Sequence, residues 1–450
     1  NTGGGHASFA GGVTHSNANI IIQSPNSLGQ SAYRAQNAGL YPNVLLQLAN
    51  GEHVISNDFQ FDYRSANIGV VLNSSGDINT SQRKITYLGN FVRYATTFGG
   101  QYIGLTADRA GYLEFCTNIY AGDWSGFTNI WIRMACGVHI FAAANAVPPA
   151  SSRLEIEHVN IVRAIEPTPT KVVFAGPYNV MCDILVQFPL SNTTPASVIA
   201  ANAPGGTVQL GGTIILDNRT NLAVVFEAQV PDTTLEIAGT ITNNWPHTVT
   251  LRGPGTIVLS AANGNNYTAG TVIKDGATVL GMNANNSCFG PGPVAVEPGS
   301  GIGGNGSFAG SLTLDSGAAL MPGGSIGTLA IGGNLIAGDG IVYHWEKGGT
   351  TADSVAVAGT LGALNGLTVV VFRVGAALPG GFTETNALFT YTGAAPAVNN
   401  AVVMHDPGSG WTGGQIGVGG GEVYITGILP EPGTLALAAL LAGALLRRSR

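Results

Sequence analysis

Residues 255–281 read GTIVLSAANGNNYTAGTVIKDGATVLG and alternate short apolar runs with small polar turns. Residues 256–259, 271–273 and 278–280 are rich in Val, Ile, Leu and Thr and follow a period of two, which is typical of β-strands. Asn and Gly separate these runs, and both residue types tolerate the positive φ angles that corners need. The stretch therefore predicts three short strands joined by corners.

The same pattern recurs on both sides of this stretch. It is found at residues 207–210, 213–216, 234–237 and 239–241 upstream, and at 311–314, 327–335 and 354–361 downstream. Each repeat is too small to bury an apolar face alone, but stacked repeats bury a continuous one. With strands ~4.8 Å apart and right-handed crossovers, the pattern predicts an all-β chain that forms a right-handed parallel β-solenoid.

Part of this pattern also resembles a known family. Residues 255–259 (GTIVL) followed by 266–271 (NYTAGT) are similar to the autotransporter-associated β-strand repeat. Residues 293–296 (PVAV) and 301–306 (GIGGNG) resemble the coil that often follows it, and 320–329 (LMPGGSIGTL) continues the register. The resemblance covers residues 250–361 and implies a β-solenoid of the cell surface.

The C-terminal residues form three physically different pieces in a fixed order. Pro430, Glu431 and Pro432 fix the backbone, residues 433–446 are apolar, and Arg447, Arg448, Ser449 and Arg450 follow. As a helix, residues 434–446 would measure roughly 20 Å, against the ~30 Å of a bilayer core. The predicted transmembrane helix is therefore short, and it would need a thinned bilayer, snorkelling arginines, or the entry residues Ile428 and Leu429. The arginines favour the cytoplasmic side, with the rest of the chain across the membrane.

This order resembles the C-terminal sorting signal of PEP-type exosortase substrates in Gram-negative bacteria. The resemblance covers residues 430–450 and implies a temporary membrane anchor. A membrane-embedded exosortase would recognise and cleave near Pro430, Glu431 and Pro432, and the arginines would act as the membrane stop. The chain would be an inner-membrane-anchored precursor that then reaches the cell surface or the extracellular space. We expect its export signal to have been removed or to lie outside this sequence. Because the family is associated with exopolysaccharide-producing bacteria, exopolysaccharide is an expected partner.

Composition narrows the class of protein. The 450 residues include 66 glycines, and only 10% are charged, against about a quarter in most soluble domains. This balance fits a repetitive β-protein with Asn, Thr, Ser and Gly on its outer face. The net charge of −7 argues against a nucleic-acid partner, since phosphate binding needs a basic patch. Cys116, Cys136, Cys182 and Cys288 match no metal spacing. Cys116 and Cys136 could pair in an oxidising compartment, but buried free thiols are the favoured expectation.

The patterns divide the chain into three predicted regions. Residues 1–200 are β-rich but irregular, and we expect wider coils or a cap there. Residues 201–428 form the β-solenoid, and 429–450 form the sorting signal. Longer strands follow residue 366, and 422–425 is the last expected strand. Aromatic residues gather in the first region: Tyr112, Phe115, Tyr120, Trp124, Phe127, Trp131 and Phe141.

No motif in the sequence predicts a catalytic, metal or cofactor site. The glycine runs at 3–5 and 419–421 do not lie between a strand and a helix, so phosphate binding is not expected. Glu155, Glu157 and His158 could suggest a metal or an acid pair. Both glutamates alternate with Leu154 and Ile156, so they share one strand face, which we expect to be a solvated outer face.

Two further groups of residues could have a function. Asp108, Glu114 and Asp123, with Arg109 and Arg133, could place carboxylates on neighbouring coils, as polysaccharide-cutting β-helix enzymes do. Trp124 and Trp131 could stack on sugar rings, although aromatic core packing is the favoured expectation.

The leading hypothesis is a non-enzymatic, surface-directed β-solenoid, structural or adhesin-like, sorted by an exosortase. The alternative is a polysaccharide-active enzyme, a lyase or glycoside hydrolase, that uses the carboxylates of the N-terminal half.

Overall fold

A computed structural model describes residues 13–16, 20–22, 32–36, 44–46, 51–62, 70–72, 83–93, 101–106, 116–135, 137–157, 170–187, 197–217, 223–284, 287–375, 384–407 and 409–430. The chain divides into two compact units. Unit 1 comprises Asn1–Ile257 and Tyr267–Ala269, and unit 2 comprises Val258–Asn266 and Gly270–Arg450. The described residues of both units are almost entirely short β-strands and their connections.

Among the described residues of unit 1, Ala144–Ala146 form a 3-10 turn. The strands are β1 (Val13–Ser16), β2 (Ile20–Ile22), β3 (Tyr33–Gln36), β4 (Val44–Leu46), β5 (Gly51–Ile55), β6 (Phe59–Asp62), β7 (Val70–Leu72), β8 (Arg83–Tyr87), β9 (Phe91–Arg93), β10 (Gln101–Thr106), β11 (Cys116–Tyr120) and β12 (Ile130–Ala135). They continue with β13 (Val138–Phe141), β14 (Arg153–Glu157), β15 (Lys171–Phe174), β16 (Asn179–Val180), β17 (Asp183–Gln187), β18 (Ser197–Ala201), β19 (Thr207–Leu210), β20 (Ile214–Asp217), β21 (Val224–Ala228), β22 (Thr234–Ile237), β23 (Ile241–Asn243) and β24 (Thr248–Arg252). The division between the units falls within β25 (Thr256–Leu259).

Strands of unit 1 that neighbour one another in a sheet come from successive passes of the chain. The main orders are β5-β8-β11-β13-β15-β18-β21-β24 and β10-β12-β14-β17-β20-β23, with β16-β19-β22, β1-β3-β6-β9 and β2-β4-β7 beside them. The pairs are parallel and in register. One pass takes about thirty residues: Lys84 Nζ bonds Glu52, 32 positions earlier, and Asn202 Nδ2 bonds Gln229, 27 positions later.

Unit 2 repeats the arrangement, with shorter passes in its first part, from β26 to β34. Its strands are β26 (Gly270–Lys274), β27 (Thr278–Gly281), β28 (Val294–Val296), β29 (Gly301–Gly304), β30 (Ser307–Phe308), β31 (Leu312–Leu314), β32 (Ala319–Pro322), β33 (Thr328–Ile331), β34 (Leu335–Ala337), β35 (Val342–Lys347), β36 (Ser354–Val357), β37 (Thr368–Arg373), β38 (Asn386–Tyr391), β39 (Val402–His405), β40 (Trp411–Gly419) and β41 (Glu422–Pro430). Parallel orders are β26-β28-β31-β34, β27-β29-β32-β35-β37-β39 and β30-β33-β36-β38. A typical pass links Asn334 N to Ser311 Oγ, 23 positions earlier.

The C-terminal strands of unit 2 break this parallel pattern. β41 pairs antiparallel with β38, and β40 pairs antiparallel with β41. The hairpin turns at the glycine run 419–421, where Gly420 and Gly421 have φ of 62° and 82°. Left-handed backbone of this kind favours glycine, so the run serves a turn. The hairpin therefore covers the β38 edge of a parallel sheet.

Alternating side chains explain why these short strands stack. In β22, β25, β27, β33 and β36, every second residue is buried, and the others face outward. In register, the buried residues form apolar ladders such as Val294, Leu312 and Leu335, each at most 1% exposed. Glycine is required where passes approach most closely, since a Cβ at Gly239 would collide with the carbonyl oxygen of Gly212.

The all-β prediction is confirmed for the described residues, and the long parallel sheets are compatible with a β-solenoid. Among those residues, no helix is long and apolar enough to cross a bilayer. The predicted helix 434–446 lies outside them, as do Glu431, Pro432, Arg447, Arg448 and Arg450, while Pro430 is the last residue of β41. Ile428 and Leu429 both lie in β41, and Ile428 is buried there, so the alternative in which these two residues lengthen the membrane helix is wrong. The predicted limits at residues 200 and 428 stay predictions.

Candidate functional site

The two tryptophans that were candidates for sugar stacking have opposite environments. Trp124 is fully buried, with its ring centroid 4.5 Å from that of Phe91 and 5.0 Å from that of Tyr120. The expectation of core packing is confirmed for Trp124. Trp131 is 44% exposed, so the same expectation is wrong for Trp131. The reason is strand alternation, since its neighbours Ile130 and Ile132 take the buried positions.

Three parallel strands place charged residues around Trp131. In the registers of β12, β14 and β17, Trp131 pairs with Arg153 and Arg153 pairs with Asp183. Two positions further along, Arg133 pairs with Glu155. Neighbouring parallel strands lie about 4.8 Å apart, so these side chains share one outward face. We name Trp131, Arg133, Arg153, Glu155 and Asp183 the Trp131 cluster.

Glu155 is the buried centre of the Trp131 cluster. Arg153 Nη2 donates to Glu155 Oε1 at 2.6 Å, and Arg133 Nε lies 3.6 Å from Glu155 Oε2. The Glu155 side chain is 2% exposed, whereas those of Arg133 and Arg153 are 30% and 26% exposed. The expectation that Glu155 lies on a solvated face is therefore wrong, because it is covered by Arg153 of the same strand and by Arg133 of the neighbouring strand.

Arg153 also contacts the aromatic ring of the cluster. Its guanidinium carbon lies 4.1 Å from the ring centroid of Trp131, which is the geometry of a cation–π contact. Asp183 is exposed beside it, and Asp183 Oδ1 accepts a hydrogen bond from Thr213 N at 2.8 Å. The outward face thus offers an aromatic ring, guanidinium donors and one carboxylate acceptor at neighbouring strand positions.

Asp123 has a local structural role. Its Oδ1 accepts a hydrogen bond from Ser125 N at 2.7 Å, and its backbone N donates to Asn90 Oδ1 at 3.0 Å. Asn90 N in turn donates to Asp58 Oδ1 at 2.7 Å. Asp58, Asn90 and Asp123 therefore hold the corners of successive passes together. Asp108, Arg109, Glu114 and His158 lie outside the described residues, as does the side chain of Glu157.

A second charged group of unit 1 is centred on Glu227. Lys171 Nζ lies 2.5 Å from Glu227 Oε2, and Arg252 Nη2 lies 3.2 Å from Glu227 Oε1. Gln229 Nε2 also donates to Glu227 Oε2. Burial alone would raise the pKa of Glu227, but the hydrogen bond and charge of Lys171, with Gln229 and Arg252, outweigh it. The pKa of this carboxyl is therefore lowered, and it stays charged near neutral pH.

Unit 2 contains a buried acid of a different kind. Asp353 accepts hydrogen bonds from Gly327 N at 2.8 Å and from Glu346 N at 2.9 Å. Its backbone oxygen accepts from Trp345 Nε1 at 2.9 Å. Burial raises the pKa of Asp353 to about 7, and the charge of Glu346 adds to this, against the effect of the two backbone donors. Asp353 thereby joins β35 to the turn that precedes β33.

Unit 2 also has a groove of about 450 Å³ on the outward side of β30, β33, β36 and β38. Its walls are mostly small residues: Ser307, Phe308, Ala330, Ile331, Gly332, Ala356, Val357, Ala358, Thr390, Tyr391 and Thr392. No charged side chain contributes to this lining. The groove therefore lacks the charge and aromatic exposure that distinguish the Trp131 cluster.

Cys182 and Cys288, whose side chains are described, are buried thiols outside any disulfide, as expected. Burial raises the pKa of the Cys182 thiol to about 12, so it remains protonated and unreactive. The side chains of Cys116 and Cys136 lie outside the described residues, so their pairing stays a prediction.

Sequence reasoning singled out Trp131, Arg133 and Glu155, but in three separate groups, and it missed Arg153 and Asp183. Arg153 alternates with Leu154 just as Glu155 does, so the shared face of these two charges could have been read from the pattern. Their meeting with Arg133 and Trp131 depends on strand register. In the part of the chain that the structure describes, no group of three or more His, Cys, Asp or Glu side chains could hold a metal ion. No protein-family model and no curated protein sequence matches this chain.

Proposed function

We propose that this chain is an exported cell-surface or extracellular-matrix protein with a structural or adhesin-like role. Each of its units would be a right-handed parallel β-solenoid, and the segment 429–450 would be a PEP-type sorting signal with a short transmembrane helix. The proposal joins the parallel architecture to the two sequence resemblances. It makes the protein a non-enzymatic component that is sorted by an exosortase.

The observation that carries the proposal is the parallel ladder of residues 271–337. This ladder coincides with the stretch that resembles the autotransporter-associated repeat. Successive passes satisfy one another's backbone groups, and apolar ladders fill the interior, so the stack needs no metal or cofactor for cohesion. Small neutral residues such as Ala330, Ala356 and Thr390 face outward. Such a scaffold suits a stable, weakly charged surface component.

The sorting part of the proposal rests on residues 430–450. The helix 434–446 would hold the precursor in the inner membrane, with Arg447, Arg448 and Arg450 on the cytoplasmic side. An exosortase would then act near Pro430, Glu431 and Pro432 and pass the chain to the cell surface of a Gram-negative bacterium. Because β41 is folded into unit 2 up to Pro430, processing after this residue would leave the described β-structure intact.

The experiment is to change Glu431→Ala and, separately, to delete residues 447–450 in an exosortase-containing host. We expect both variants to accumulate as unprocessed, membrane-associated or mislocalised chains, because each change removes one part of the signal. Cell fractionation and intact-mass measurement of the chain provide the readout. Asp232→Ala, at an exposed turn of unit 1, is the matched control and should be processed normally. Unchanged mass and distribution in both tail variants would contradict the sorting proposal.

The enzyme alternative has less support from the geometry. Asp123 holds a corner through its hydrogen bond from Ser125 N, and Glu155 is buried and paired with two arginines, so both carboxylates are already engaged in structural contacts. That alternative therefore depends on Asp108 and Glu114, outside the described residues. Polysaccharide cleavage that is lost in Asp108→Ala would favour it.

A further inference from the structure

We propose that the Trp131 cluster of unit 1 binds a polysaccharide, with a sugar ring against Trp131 and sugar oxygens bonded by Arg153, Arg133 and Asp183. This goes beyond the proposed surface role, because it assigns a ligand class and a binding face.

Exposure of Trp131 is the first observation behind the proposal. A tryptophan has a large apolar ring, and leaving 44% of it in water forgoes much of the burial that stabilises Trp124 in the same unit. Arg153 is held over one face of the ring, with its guanidinium carbon 4.1 Å from the ring centroid, so it fixes the indole in place. A sugar would pack against the exposed part of the ring that Arg153 does not cover, with the guanidinium close enough to bond its hydroxyl groups.

Fixed charges around the ring are the second observation. Glu155 pairs with both arginines from a buried position, which orients the two guanidiniums while its own oxygens are withdrawn from solvent. The accessible polar groups are therefore arginine donors and the exposed Asp183 carboxylate. Donors and an acceptor on one face suit hydroxyl groups, which both accept and donate. Pairing with Glu155 also limits the side-chain entropy that binding must overcome.

The net charge of the chain argues against nucleic acid, the other class of ligand that stacks on tryptophan. Nucleic-acid binding needs a basic surface to offset phosphate charge, but the chain carries a net charge of −7, and Asp183 stands next to Arg153. A polyhydroxylated chain with few or no charges meets no such penalty. The parallel strands supply a rigid platform, which favours binding to an extended polymer without rearrangement.

The test uses the full chain, purified in mild detergent, in affinity electrophoresis through gels that contain soluble polysaccharides. The neutral arm contains dextran, xylan or hydroxyethyl cellulose, and the acidic arm contains alginate or polygalacturonate. We expect retardation in at least one gel and at least a tenfold loss of affinity in Trp131→Ala, the usual scale for losing an aromatic contact and its burial. Trp131→Phe should keep part of the affinity.

Trp245→Ala is the matched control, since Trp245 lies in the same unit and is 49% exposed. It should bind as the original chain does, and the unfolding midpoint of Trp131→Ala should be unchanged because the ring is at the surface. Neutral-only or acidic-only retardation with loss in Trp131→Ala supports the proposal and tells which sugars bind. Absence of retardation in every gel, equal binding by Trp131→Ala, or an equal loss in Trp245→Ala would overturn it. The assay needs no export or processing, so its result is independent of the sorting experiment.

Discussion

Unit 1 and unit 2 are both ladders of short parallel strands, but they differ in the side chains of their interiors and of their outward faces. In unit 1, the interior between β6 and β15 is a stack of aromatic rings, and Phe91 alone contacts five of them. In unit 2, the interior from β26 to β34 is mostly aliphatic, as in Val294, Leu312 and Leu335. Passes of about thirty residues enclose large rings, whereas passes of about 23 residues have room for Val, Leu and Ile.

The outward faces differ in the same way. Unit 1 carries the Trp131 cluster and the group around Glu227, both of which join charges from separate passes. The groove of unit 2 is lined by uncharged residues, most of them small. Under the binding proposal, recognition is assigned to the charged and aromatic face of unit 1. Three sets of variants test the difference between the units, beginning with the largest expected effect.

The first set compares the two cores. Phe91→Ala should cost about 3–5 kcal/mol of unfolding free energy, because a 2% exposed ring leaves a large cavity among five others. Leu312→Ala should cost about 2–4 kcal/mol, since its cavity is smaller. Urea unfolding followed by near-ultraviolet circular dichroism separates the two, because only the first variant should alter the aromatic signal of the folded state. Val92→Ala, on the outward face beside Phe91, should change little. Identical spectral changes in both core variants would remove the distinction between the cores.

The second set tests the charges of the Trp131 cluster. Arg133→Met together with Arg153→Met should cost about 3 kcal/mol, because both changes leave the buried carboxylate of Glu155 without a partner. Adding Glu155→Leu should restore most of that loss, since an apolar group of similar size needs no partner. Thermal unfolding midpoints provide the measurement, and Thr390→Ala on the outward face of unit 2 is the control. A triple variant no more stable than the double variant would show that the paired charge is not the source of the loss.

The third set uses pH, to which the two units should respond in opposite directions. The folded pKa of Asp353 is raised to about 7 from 3.8, so the folded state binds the proton more tightly. Its contribution is fully present below about pH 4 and is lost as pH rises through about 7. We expect a loss of about 1–2 kcal/mol, less than the full shift because the surrounding loop is partly open to solvent. Asp353→Asn should abolish this dependence in unfolding midpoints measured between pH 4 and 8.

Glu227 in unit 1 supplies the opposite sign. Its folded pKa is lowered, so its contribution is present above the unfolded value of 4.5 and is lost as pH falls through the folded pKa. Glu227→Gln should therefore reduce the loss of stability on acidification, by less than the effect of Asp353 because the carboxyl is partly exposed. The same pH series measures it. If Asp353→Asn and Glu227→Gln changed the pH dependence of stability in the same direction, the contrast between the units would be contradicted.

Much of the fold could be predicted from local sequence, because alternation and glycine corners act over a few residues. The runs at 256–259, 278–280, 328–331 and 354–357 became strands with every second residue buried, as their period of two requires. The antiparallel hairpin of β40 and β41 is local, and the glycine run 419–421 between its two strands could have predicted it. Its pairing with β38, more than thirty residues upstream of β41, has no such local signal.

The sequence by itself determined which runs form strands, the small neutral residues of the surface and the three-part order of the tail, since composition and periodicity are properties of neighbouring residues. Tertiary structure alone decided that Glu155 is buried between Arg133 and Arg153, and that Arg153 lies over the ring of Trp131. The physical reason is register: parallel pairing brings together residues from separate passes of the chain, and their distance in sequence carries no local signal of that meeting.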